Sequence, residues 1–420
     1  MDLSQKQLQR IVVIENAVAG RISVGRAAEL LQLSPRQIKR LKQRFQPSHA
    51  EWVQHGNQGR KPVNRATEQV RRRVVELAKG KYAGFNDSHL RDKLAGEENL
   101  VLSRSSVRRM LRQAGLRSPQ KRRPPKYRKR RERRPQEGML LLVDASRHRW
   151  LQQRGPWLTL LGFVDDATGK VATAQFQAEP EDSAGYLRLI RSLVEQHGIP
   201  LALYRDRHST LQRNDAHWSL EEQLEGRQLP TQVGRALEQL GVEVLVAYTA
   251  PAKGRIERLW RTFQDRLVSE LRVAGASNLQ QANAGLARFV VDFNQQFGKP
   301  PAQAGSAYRK LDRRLDLDQI LSLRYERTVS NDHVIRVGPG VALQLPPLAG
   351  QRGFAGRKVL VCHLPDGRLR VYLEGRLLLE QAADPWAGPV RAMDMKRSRA
   401  PRKKKPLRIY TFAGRPALRR

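Results

Sequence analysis

Apolar positions recur at helical spacing through the first hundred or so residues and gather into continuous, strand-like runs after about residue 138. LSQKQLQRIVVIENAVAG has the period of an amphipathic helix, and SVGRAAELLQL gives a shorter second one with Ser23 placed to cap it. Ser34-Pro35 then supplies a cap followed by proline at the first helical position, and PRQIKRLKQRF sets Ile38, Leu41 and Phe45 on one face. Arg36, Gln37, Lys39, Arg40 and Gln43 are left facing outward. A third helix with a basic, amide-bearing outer face suits reading of a DNA major groove; a plain three-helix bundle with an incidentally basic face is the structural alternative. A second unit follows in TEQVRRRVVELAKG, NDSHLRDKLAG and SRSSVRRMLRQAG. Its last helix turns Val107, Met110, Leu111 and Ala114 inward, stops at Gly115, and offers Arg104, Arg108, Arg109 and Arg112 outward. Two all-α helix-turn-helix units are therefore predicted, over 1–50 and 65–116, the second winged-helix-like. Between them Gly59-Arg60-Lys61-Pro62 reads either as a minor-groove arm, with Arg60 and Lys61 on DNA, or as a flexible linker with incidental charge.

The pattern changes in the centre. GMLLLVD is a continuous apolar run that ends in Asp144. WLTLLGFV and KVATAQFQ flank the turn Asp165-Asp166-Ala167-Thr168-Gly169 and read as a hairpin, in which the two acids are ordinary turn residues. An amphipathic helix over 182–197 precedes PLALYRD, a buried-strand candidate ending in Asp206. TQVGRALEQLG is helical, VEVLVAY a strand, and KGRIERLWRTFQDRLVSELR a long helix packed through Ile256, Leu259, Trp260, Phe263, Leu267 and Leu271. The order β-β-β-α-β-α-β-α predicts a mixed α/β sheet over 138–310. Over 325–385 short strand-like runs and the hairpin signal Asp366-Gly367 predict four to six strands in a small β-barrel, either a structural cap or a DNA or subunit contact.

Charge narrows the partners. The chain has 420 residues, 78 Lys+Arg against 40 Asp+Glu, and a formal net charge of +38. Such a field favours a polyanion, most simply double-stranded DNA. The basic excess concentrates at 117–134 and 391–420, which also carry prolines; 117–136 reads as an interdomain linker and 391–420 as a disordered tail. Hydrophobic residues make up 40%, enough for real cores. The single cysteine, Cys362, excludes a disulfide framework and Cys-rich zinc fingers. No apolar run is long enough to span a bilayer, the start MDLSQKQLQR lacks a signal-peptide pattern, and no phosphate-binding Gly-rich loop with Lys-Ser/Thr is present. A cytoplasmic, nucleoid-associated protein without membrane partner or small-molecule cofactor is expected.

Three acids carry the candidate chemistry. Asp144 and Asp206 fall at the ends of strands predicted to be central, and Glu257 lies one turn into the long helix, at the edge of its packing stripe. Three converging carboxylates repel one another unless cations lie between them. Hard, oxygen-seeking ions, two Mg2+ or Mn2+, are the stable solution, and such a pair suits in-line phosphodiester displacement. Lys253, Arg255, Arg258 and Arg261 around Glu257 are then placed to hold substrate phosphates. His208 and Trp218 are weaker candidates, and Trp260 reads more simply as core.

The order strand-Asp, strand-Asp, helix-Glu resembles the ribonuclease-H-like integrase core of DDE transposases and retroviral integrases. LYRDRHS, TQVGRALEQLGVEV and AKGRIERLWRTFQDRLVSEL look like bacterial insertion-sequence transposases of the ISNCY group. The resemblance is close over 138–310 and looser elsewhere. It implies that Asp144, Asp206 and Glu257 are catalytic, that transposon ends and target DNA are the partners, and that the chain works as a homo-oligomer on DNA. The second acid and the Glu stand 51 positions apart, longer than in retroviral integrases, with the extra residues in HSTLQRNDAHWSLEEQLEGRQLP. Three readings follow: a DDE transposase, an inactive DNA-binding regulator with the same fold, and a ribonuclease H, which would have no need of the two N-terminal units.

Overall fold

Serine caps and proline placement fix the first three helices: α1 (Gln5–Val18), α2 (Val24–Leu31) and α3 (Pro35–Arg44). Ser23 Oγ accepts from the Arg26 amide at 3.1 Å and Ser34 Oγ from the Gln37 amide at 3.3 Å, filling backbone donors that a helix start leaves unpaired. Ile14, Ala17, Ala27 and Ile38 meet in a small core, closed by Phe45 edge-on to Trp52. The computed structural model describes residues 4–47, 49–53, 65–119, 131–205, 209–211, 213, 218, 220–226, 228–246, 254–338, 341–346, 353–384 and 390. The chain divides into two units, 1–74 and 75–420, with the boundary falling within α4 (Glu68–Lys79).

In the second unit come α5 (Asp87–Gly96) and α6 (Arg104–Gln113), capped by Asn86 and Ser103. The central sheet follows: β1 (Leu141–His148), β2 (Leu158–Asp165), β3 (Val171–Gln177), α7 (Ser183–Gln196), β4 (Ala202–Arg205), α8 (Leu220–Glu225), α9 (Gln232–Gln239) and β5 (Glu243–Val246). Then come α10 (Gly254–Val273) and α11 (Leu279–Phe297). Strand order is β3-β2-β1-β4-β5, with β1, β2 and β3 antiparallel and β1, β4 and β5 parallel. This is the mixed α/β core expected, in the expected element order. β2 is buried along its whole length, as a strand covered on both faces must be. Alternation divides the apolar side chains of β1 and β2: Leu141, Val143, Leu161 and Phe163 pack with α7 and α9, whereas Leu142, Leu160 and Val164 pack with α10 and α11.

Ion pairs and a histidine–carboxylate hydrogen bond seat α5 on α10. Glu270 takes His89 at 2.6 Å and Lys93 at 2.7 Å, and Asp92 takes Arg266 at 2.9 Å. Arg272 lies over the Phe85 ring. After α12 (Leu317–Ile320), the C-terminal region has β6 (Leu323–Thr328), β7 (Val334–Gly338), β8 (Val341–Gln344), β9 (Lys358–His363), β10 (Leu369–Leu373) and β11 (Arg376–Gln381). Six strands agree with the four to six predicted, but the expected closed barrel is absent among the described residues. They form a four-stranded antiparallel sheet, β11-β10-β9-β6, and a separate β7-β8 hairpin. The hairpin packs its apolar face onto the sheet through Ile335, Val337 and Leu343 against Val359, Val361 and Val371, so the apolar surface is covered without hydrogen-bonded closure. Among the described residues no helix is long and apolar enough to cross a membrane.

Candidate active site

Asp144 does not end its strand. β1 continues to His148 because Ala145–His148 pair with Leu158–Leu161 of β2, so the polar residues after the acid are held by a neighbouring strand rather than by their own hydrophobicity. Asp144 is half-buried and shares a face with Leu142 and Ser146, by strand alternation. That face looks toward α10: Leu142 belongs to the α10 core, and Gln264 Nε2 donates to Ser146 Oγ at 3.1 Å. The residue opposite Asp144 on β2 is Gly162. A Cβ there would stand 2.7 Å from the Trp260 ring, so the missing side chain is what lets α10 settle onto the sheet at this level.

The packing stripe of α10 is the one the sequence predicts: Ile256, Leu259, Trp260, Phe263, Leu267 and Leu271 are all buried. Glu257 stands one turn before Trp260 and is exposed. Asp144 and Glu257 thus belong to the same side of the sheet, one on its central strand and one on the helix laid across it. In β4, Tyr204 lies beside Leu142 in parallel register and packs on the same core. Asp206 follows two residues later and lies outside the described residues, as do His208 and Lys253. Both described acids offer carboxylate oxygens, the donors that hard divalent ions prefer. Among the described residues no group of three or more His, Cys, Asp or Glu converges, and Asp206 is not among those residues.

The predicted basic residues fall into different settings. Arg36, Gln37, Lys39 and Arg40 are exposed on α3, and Arg108 and Arg109 on α6. Arg112 is instead bound within the chain, to the Asp87 carboxylate at 2.9 Å and the Leu116 carbonyl at 2.6 Å. Arg255 is likewise paired, with Asp166 and with the backbone carbonyl of Arg131. Arg258 and Arg261 are exposed on α10, the former bonded through Nε to the Gly254 carbonyl at 2.7 Å. Arg60 and Lys61 lie outside the described residues. Trp260 is a core residue and Trp218 is partly exposed.

Sequence reading missed Asp166. Its neighbour Asp165 makes the turn bonds, accepting from the Thr168 amide and hydroxyl at 2.8 Å each, and also ties in the Gly138 amide at 2.9 Å. Asp166 is buried and gathers arginines: Arg131 at 2.6 Å, Arg255, and the Arg134 amide at 2.9 Å. The signal was a second acid where the turn needs one. The end of the basic linker, from 131 onward, is therefore laid against the core.

No protein-family model matches the chain. It is 35% identical over 379 residues to the Sinorhizobium fredii protein named "Putative transposase y4bF", over 90% of this chain and 80% of that one. It is 29% identical over 370 residues to the "Transposase for insertion sequence IS1202" of Streptococcus pneumoniae, over 79% of this chain and 76% of that one. Among solved structures, the catalytic core domain of BIV integrase overlays at 17% identity and a TM-score of 0.27, over 39% of this chain and 88% of that chain. The HTLV-2 integrase catalytic core domain in complex with magnesium gives 15% identity and 0.26, over 38% and 88%.

Proposed function

This chain belongs to the transposases of bacterial insertion sequences, and from that premise we propose that it is a DDE enzyme whose catalytic acids are Asp144, Asp206 and Glu257. The observation that carries the reading is the seating of Trp260 over Gly162, directly across from Asp144, which sets the Glu257 turn of α10 on the Asp144 face of the sheet. The three carboxylates would hold two divalent ions, Mg2+ or Mn2+. Bound there, such ions supply charge neutralisation for in-line displacement at phosphorus.

The rest is done by the chain. Arg36, Gln37, Lys39 and Arg40 on α3 read the element's ends, and Arg108 and Arg109 on α6 add phosphate contacts. Arg258 and Arg261 hold the scissile strand beside Glu257. Arg112 and Arg255, already paired with acids, support the fold and the site instead. Water displaces one phosphodiester oxygen and frees a 3′-hydroxyl. That hydroxyl then displaces an oxygen of a target phosphodiester, and no covalent protein–DNA bond forms. Two ends must be handled together, so the active form is a homo-oligomer on DNA, and the C-terminal sheet with its hairpin contacts DNA or a second subunit. Its place is the cytoplasm, on the nucleoid.

The test uses duplex DNA ending in the repeats that flank the gene. Asp144→Asn and Glu257→Gln lose strand cleavage and transfer and keep end binding in a gel shift. Paired Arg36→Ala and Arg40→Ala substitutions show the reverse defect, with weaker binding to the ends. Cleavage retained by either acid variant refutes its assignment. We do not favour an inactive regulator, because the chain retains all three acids and its relatives are named transposases.

A further inference from the structure

We propose that Asp166 is a positioning residue for the acid site, acting through Arg255 on the helix that carries Glu257 and through Arg131 on the strand that leads to Asp206. The inference rests on the reading of Asp144, Asp206 and Glu257 as the ion-holding acids.

Asp166 follows β2 directly, and its amide donates to the Leu140 carbonyl at 3.0 Å, just before β1. Its carboxylate has no exposure to solvent. Burying an ionised carboxylate is costly unless it is paired and hydrogen-bonded. Here the partners come from two directions. Arg255 reaches it from the first turn of α10, two residues before Glu257. Arg131 reaches it from the linker end at 2.6 Å, and the same guanidinium lies 5.7 Å from the centre of the Tyr204 ring on β4. Tyr204 is itself beside Leu142 of β1. The Arg134 amide and the Arg133 guanidinium, the latter on the Asp166 and Ala167 carbonyls at 2.9 and 3.1 Å, complete the joint. One buried carboxylate thus links the starts of β1 and α10 and the end of β4. A turn residue needs none of this, since Asp165 makes the turn bonds by itself. α10 begins with Gly254, a permissive start, so the Arg255 tie adds a polar anchor to the packing of Ile256 in the same turn.

Groups that orient metal-holding side chains typically change ion affinity 10- to 100-fold when removed. The test is Mn2+ binding to the full chain, followed by the electron paramagnetic resonance of free Mn2+, together with hydrogen exchange over 254–260. Asp166→Asn and Arg255→Gln each weaken Mn2+ by about tenfold or more. The double variant is no weaker than the poorer single one, and exchange quickens in the first turn of α10 but not over 263–271. Wild-type affinity in both single variants, with Glu257→Gln weakened, overturns the positioning role and leaves the acids standing. No Mn2+ binding by the wild-type chain, or wild-type binding by Glu257→Gln, sinks the acid assignment and this inference with it. If Asp166→Asn does not fold, Arg255→Gln decides, because Asp166 keeps Arg131 and the Arg134 amide. Loss of fold in Arg255→Gln as well makes the cluster a fold determinant and overturns the proposal.

Discussion

Gly162 shows how one small residue sets the site. The Trp260 ring occupies the space where a side chain would be, edge-on to Phe263, and the ring cannot swing away without disturbing the packing of Phe289 and Phe293. Gly162→Ala therefore overpacks the α10 face. We expect a loss of about 1–3 kcal/mol in urea unfolding, together with reduced strand cleavage. Unchanged stability and activity would mean that α10 is not held at this point. At the same scale, the strand position of Asp144 and the helix position of Glu257 were legible from the pattern. Asp166 was not, because nothing local distinguishes a turn acid from one whose partners lie up to 89 positions away. Asp144 was misread as a strand end for a related reason: Ala145–His148 have no strand-like pattern of their own and are held extended by β2.

Among elements, α10 is shared. Its N-terminal half covers the Asp144 face, and its C-terminal half receives α5. His89 is buried in that second contact, stacked on Phe85 with ring centres 4.2 Å apart. Burial holds its imidazole below the usual value, and the hydrogen bond to Glu270 only partly opposes this. Lys93 and Arg266 also face it and disfavour a second positive charge. A neutral ring donates from Nε2 to Glu270, which leaves Nδ1, without a partner among the described residues, as a bare lone pair. Glu270, for which burial alone would raise the value, is kept below the usual carboxylate range by His89 and Lys93. The sign for stability follows. As pH falls below about 6.5, the unfolded chain takes up a proton on His89 that the folded chain resists, so stability drops until the lower folded value is passed. Urea midpoints measured from pH 7.5 to 5 should fall more steeply for the wild type than for His89→Gln; parallel curves would contradict the buried neutral histidine. The helices here were legible from caps and apolar spacing. Their docking was not, since pairs such as Asp92 with Arg266 join distant stretches and leave no local period.

For the whole molecule, pattern showed the succession of helical, mixed α/β and all-β regions, and charge set the expectation of a polyanion as partner. They could not give sheet closure at the C-terminus, because a strand pattern shows which side is apolar but not which edge is paired. The proposed chemistry requires that Asp144, Asp206 and Glu257 assemble one divalent-ion site. Anomalous diffraction from crystals of the full chain soaked in Mn2+ tests this most directly. The prediction is a strong Mn2+ peak within bonding distance of Asp144 and Glu257, with Asp206 completing the ligand set, and no such peak in Glu257→Gln crystals. Mn2+ bound only elsewhere on the chain, with the Asp144 and Glu257 carboxylates too far apart to share an ion, would contradict it.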